Sequence, residues 1–138
     1  MQQSNRTAQD VCADAGTTLR LHVREMDRAL AFQREVLGAE TITSDSRSAC
    51  MRFGAARWTL VTDAGSELPV LRELVGLVVR RGAGAEIVLE GLDPDRAEAA
   101  ARTAGFGVLS AARDTVGGAR EAHLVDHDGY VWVARRRA

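Results

Sequence analysis

Several kinds of segment are missing from this chain. No stretch is apolar for long enough to cross a membrane, so a spanning helix is excluded. Net charge is close to zero, which removes the broad basic surface that nucleic acid or anionic lipid would require. The one basic run, Arg135-Arg136-Arg137, reads as a solvated tail. Cysteine is scarce. Cys12 and Cys50 show neither zinc-ligand spacing nor a disulfide framework, so both are expected as reduced thiols. The opening residues MQQSNRTAQDVCADAG lack the apolar centre of a signal peptide and read as a loose tail over 1–16. A cytoplasmic protein is the expectation, with no membrane or nucleic-acid partner. Reactive motifs are missing too. There is no G-x-S-x-G elbow, and RRGAGAE has no Lys-Ser/Thr ending to cradle a phosphate. Cys50 would be a nucleophile only beside a base that lowers its pKa.

What is present is a repeated pattern. In TTLRLHVR, Leu19, Leu21 and Val23 alternate with Thr18, Arg20 and His22, a period-two strand with one polar face. EMDRALAFQREVLG follows as an amphipathic helix ended by Gly38. Gln33 is the one polar residue in its apolar arc and is expected to reach the surface at the edge. Strands are expected over 40–46, 49–53 and 57–62, the last two as a hairpin around Gly54, with a loop over 63–69 as the link. Residues 71–81 fit either a strand or a short helix. A strand over 85–92 precedes a helix opened by Asp93-Pro94, an N-cap followed by proline at the first position, and closed by Gly105. Further strands are expected over 106–110, 120–125 and 130–134, the last after the polar turn Asp126-His127-Asp128-Gly129. A βαβββ unit therefore occurs twice, over about 17–64 and 70–135 of a domain spanning 17–138.

The segments VREMDRALAFQREVLGAE and LVDHDGYVWV, placed in that order around a βαβββ repeat, resemble the vicinal oxygen chelate superfamily, the glyoxalase, bleomycin-resistance and dioxygenase group. The resemblance covers nearly the whole chain. It implies an α+β fold in which paired βαβββ modules form a cup-shaped mixed sheet with helices outside. It also implies a homodimer in which two chains complete each other's cups. The enzymes of the group hold a divalent metal in the cup, and their ligand positions project onto Thr18, Glu86 and Val133. Valine offers no lone pair and a threonine hydroxyl is a poor ligand, so no metal or other cofactor is expected.

The residues left to line a pocket are Arg20, His22, Glu86, Glu90 and Val133, with Met51, Phe53 and Trp58 on the hairpin as apolar contacts. Trp132 is expected in the core. His22 reads as a ligand contact, an acid–base group or a structural polar residue. His22 and His123 are candidates to join Glu86 in an unusual site, and His127 is expected in solvent. The leading expectation is a metal-free protein that binds and sequesters an aromatic small molecule such as an antibiotic. The alternatives are an enzyme using His22 or Glu86 as acid–base, or a displaced metal, and a partner-binding domain with a vestigial cup.

Overall fold

The computed structural model describes residues 7–13 and 16–137. The chain runs α1 (Ala8–Cys12), β1 (Arg20–Val23), α2 (Met26–Ala31) with a π-helical continuation (Phe32–Val36), β2 (Glu40–Ser44), β3 (Ser48–Phe53) and β4 (Ala56–Thr62). After a 3-10 turn (Asp63–Gly65) come α3 (Pro69–Gly76), β5 (Glu86–Glu90), α4 (Pro94–Ala104), β6 (Gly107–Asp114), β7 (Ala119–Val125) and β8 (Val131–Arg137). Two four-stranded sheets result, in the orders β1-β4-β3-β2 and β5-β8-β7-β6. Each has one parallel pair, β1 with β4 and β5 with β8, so both are mixed. The fold is α+β, and the βαβββ pattern read from the sequence is present in both halves. Within the sequence span read as a loose tail, Ala8–Cys12 is instead a helix, closed by a capping box between Thr7 and Asp10. The remainder of that span up to residue 6, with Asp14 and Ala15, lies outside the described residues. No described helix is long and apolar enough to cross a membrane.

Contacts divide the described residues into two units, one holding those up to Asp27 with Ala39–Leu77, the other Arg28–Gly38 with those from Val78 on. In the second unit, strand alternation turns Leu89, Ala122, Leu124, Trp132 and Ala134 to one face of the sheet, and all are buried. Against it lie α4, through Ala97 and Ala101, and the Phe32–Val36 turn. Phe32 meets Phe106 edge to face at 5.0 Å and lies 6.3 Å from Trp132. Trp132 is thus in the core, as expected. Gln33 differs from its expected place at the surface edge, being 1% exposed. A spacing of about 100° per residue already sets Gln33 within the apolar arc, and the edge placement rested on its polar side chain. In the π-helical turn Gln33 is buried together with Phe32 and Val36, so the position in the arc prevails over the polarity. The α4 helix starts and stops where its residues dictate. Asp93 accepts hydrogen bonds from the backbone N–H groups of Asp95 and Arg96, and Gly105 ends it at φ +82°.

The turn before β8 is organised by Asp126. One carboxylate oxygen accepts from the backbone N–H groups of Asp128 (3.0 Å) and Tyr130 (2.9 Å), and the other from the Trp132 indole N–H (3.0 Å). One side chain therefore shapes the turn and fixes the largest core residue. Gly129 sits at φ +94° with Arg80 Cα 2.7 Å from where a Cβ would be, so neither the backbone angle nor the space admits a side chain.

In the first unit, register places Leu21, Ala49, Met51, Trp58 and Leu60 on one sheet face and Arg20, His22, Ser48, Cys50, Thr59 and Val61 on the other. The α1 helix packs on β3 and β4, and Cys12 is disulfide-bonded to Cys50. This corrects the expectation of two reduced thiols. A bridge across 38 residues leaves no local spacing signal, and only the docking of α1 on the Cys50 face brings the sulfurs together. Closing a loop of that size stabilises by about 4 kcal/mol on the chain-entropy account. The segment that fitted either strand or helix is helical over Pro69–Gly76, with proline at its start.

Two stability predictions follow from the second unit. Trp132→Ala should cost about 3–5 kcal/mol in denaturant unfolding, since it empties a fully buried site. Burial raises the Asp126 pKa above its ordinary value of 3.8 against the opposing hydrogen bonds. The stability lent by protonated Asp126 is therefore full below 3.8 and lost as pH rises through the raised folded value. Asp126→Asn, which cannot ionise, should show its largest deficit relative to wild type at the acid end. That deficit should shrink as pH rises through this window when unfolding is followed at several pH values.

Candidate functional site

The second sheet has a face that α4 does not cover. Register sets Glu86 beside Val131, and Val88 beside Val133 and His123 in a row across β5, β8 and β7. The next row joins Glu90, Arg135 and Glu121. These residues share a face because each stands one position from a core-facing residue of its own strand. His123 Nε2 is 3.0 Å from Glu86 Oε1, a contact that spans the intervening β8. Arg135 is held from both sides, donating to Glu90 and, at 3.0 Å, to Glu121. These contacts hold the Arg135 guanidinium pKa above its ordinary value, the Glu90 hydrogen bond first among the causes.

The Glu86–His123 pair is asymmetric. The Glu86 side chain is 58% exposed and that of His123 only 14%. His123 Nδ1 is buried without a hydrogen-bond partner among the described residues, while Nε2 is committed to Glu86. The imidazole therefore presents no free nitrogen outward. It positions the carboxylate, and Glu86 is the group that meets solvent. Val88 and Val131 beside it are exposed or half-buried and give the same face an apolar component. Chemically, this arrangement can receive a hydrogen-bond donor or cation next to an apolar body.

The sequence-predicted site residues separate by strand parity. Glu86, Glu90 and Val133 share the open face of the second sheet, although Val133 is buried beneath its neighbours. Arg20 and His22 share a face of the first sheet and line a cleft of about 530 Å³ with Thr7, Gln9 and Asp10. Met51, Phe53 and Trp58 are not with them. They fall on the opposite face of that sheet, where Trp58 is 2% exposed and Met51 fully buried, so neither has surface to stack on a ligand. His127, expected in solvent, is half-buried with its Nδ1 3.3 Å from Arg28 Nη1, on a second cleft of about 500 Å³. Cys50 is bridged and is no nucleophile in this state. Sequence reasoning did not include Glu121 or Arg135 in the site. The signal for both was available in the alternation of AREAHLV and VWVARRR around their buried alanines.

No family model matches this chain, and no curated protein matches its sequence. Solved structures do match its fold. A glyoxalase/bleomycin resistance protein/dioxygenase family enzyme from Burkholderia phytofirmans PsJN superposes with a TM-score of 0.71 at 17% identity, covering 88% of this chain and 97% of that one. The fosfomycin resistance protein FosX from Listeria monocytogenes gives 0.66 at 15% identity, over 91% and 95% of the two chains. TioX from Micromonospora sp. ML1 gives 0.65 at 18% identity, over 90% and 97%.

The metal implied by such a fold can be tested against the donors present. Of the projected positions, Thr18 is exposed, Val133 is buried and has no donor atom, and only Glu86 coordinates strongly. His123 Nε2 is already spent on Glu86, and among the described residues no three His, Cys, Asp or Glu side chains cluster as a metal site. The donor set does not fit. Elemental analysis of purified protein should find no stoichiometric divalent ion. About one tightly held ion per chain, lost in Glu86→Ala, would contradict this.

Proposed function

We propose that this chain, which has the fold of the vicinal oxygen chelate superfamily, is a metal-free small-molecule-binding protein that acts in the cytoplasm by sequestering its ligand unchanged. The observation that carries the reading is the exposed Glu86 carboxylate, braced by His123 on the open face of the second sheet. A carboxylate held in place by a neighbour loses little freedom on meeting a donor, which favours binding. The aromatic side chains that would stack a flat ligand, Trp58 and Trp132, are both buried. Recognition then rests on hydrogen bonding to Glu86 beside Val88 and Val131 rather than on stacking. The ligand class is a small organic molecule with an apolar body and a cationic or donor group, natural-product antibiotics among them. His123 is not placed to act on a ligand as acid or base, since Nε2 is engaged by Glu86 and Nδ1 is buried.

A homodimer belongs to the same proposal. Leu68, Val70, Leu74 and Leu77 lie exposed on and beside α3, an apolar stripe of the kind that a second chain covers. Sedimentation at micromolar concentration should give a dimer, and a monomer there would contradict this part of the reading.

Calorimetry with bleomycin, a donor-rich cation, and fosfomycin, an anion, tests the ligand class. Bleomycin should bind, fosfomycin should not, and Glu86→Gln should weaken binding about tenfold, or about 1.4 kcal/mol. Mass spectrometry should recover the bound compound unaltered. Turnover of the compound, or binding indifferent to Glu86→Gln, would overturn the proposal.

A further inference from the structure

The first sheet is buried on both sides along β3, where Ser48, Ala49, Cys50 and Met51 are all inaccessible. On the Cys50 side the cover is α1. This helix has five residues, too few to be stable without attachment. Its attachments within the described residues are specific. The Cys12–Cys50 bridge fixes its C-terminal end, and Ala8 N–H donates to Asp45 Oδ2 at 3.2 Å at the other. Asp45 also accepts from Arg47, Ser48 and the Ser48 hydroxyl, which holds its pKa below the ordinary aspartate value.

What lies beneath is not finished as a core. Thr59 stands directly opposite Cys50 and is fully buried, and among the described residues its hydroxyl has no hydrogen-bond partner. A buried hydroxyl left without a partner is unfavourable, and water or a ligand would satisfy it if the cover were removed. The same face carries Arg20, His22 and Val61, and the cleft beside them takes one wall from Thr7, Gln9 and Asp10 of the capped helix start.

We propose that α1 is a redox-released strap. With Cys12–Cys50 oxidised it closes the Arg20–His22–Thr59 face of the first sheet, and with the bridge reduced it detaches and opens that face. The reductant is a cellular dithiol. Its thiolate attacks Cys12 Sγ, the S–S bond breaks, and Cys50 leaves as thiolate and takes a proton. The second thiol of the reductant then displaces Cys12 from the mixed disulfide. The net change is two electrons and two protons to the protein, with the dithiol converted to its disulfide. Disulfides in cytoplasmic proteins are commonly of this transient, sensing kind. The strap belongs to the first unit and the Glu86 site to the second, so this inference stands or falls separately from the binding reading.

The test uses the full chain, oxidised and then reduced with dithiothreitol under native conditions, followed by hydrogen exchange and maleimide labelling. Reduction should raise exchange at least tenfold in residues 8–12 and in β3 and β4, with β7 and β8 unchanged, and Cys50 should label. Cys12→Ser should label at Cys50 without any reductant. If the reduced chain keeps α1 protected and Cys50 labels only in denaturant, packing rather than the bridge holds the helix and the proposal fails. Exchange rising equally in β7 and β8 would also overturn it, because the bridge would then be a global staple.

Discussion

A strand sends successive side chains to opposite faces, and this period of two governs both halves of the molecule. In β8, the indole of Trp132 is fixed in the core by Phe32 and by its hydrogen bond to Asp126. Val133 must then stand on the other face, and register carries His123 and the row of Glu90, Arg135 and Glu121 with it. A slip of one residue would bury the charged row and expose the tryptophan. The Asp126 turn, which sets where β8 begins, thereby decides which side chains the open face presents.

The two sheets use the same topology differently. In the first, the polar face is covered by a short bridged helix, and beneath the cover lies a threonine hydroxyl without a partner among the described residues. In the second, the corresponding face is left open and its charges are paired with one another. A repeated βαβββ unit has thus been fitted once as a closed surface and once as an exposed one. The differences reside in few residues: Cys12 and Cys50 in one half, Glu86 and His123 in the other.

Much of this was legible in the sequence, and the failures have definite causes. The repeat, the α4 caps at Asp93 and Gly105, the Gly54 hairpin and the core place of Trp132 all follow from local signals. Trp58 shows the limit. Alternation pairs it with Met51 and opposes it to Arg20, but one sequence does not say which hairpin face meets the ligand side. Gln33 was misplaced because its polarity was weighed above its position in the apolar arc, and Cys12–Cys50 depended on the docking of α1. Residues 71–81 mix apolar and charged residues without a decisive period, and Pro69 was the one usable helix signal. The Glu86–His123 pair joins strands that are not neighbours in the chain, so its residues could be named as candidates while their contact could not be derived.

The central claim is that ligand meets the open face of the second sheet through Glu86. Backbone amide chemical shifts, followed by NMR as bleomycin is added, address it directly. The account predicts that the largest shifts fall on Glu86, Val88, His123 and Val131 and their strand neighbours. Shifts confined to the Arg28–His127 cleft, or to β1 and β4 of the oxidised chain, would contradict it.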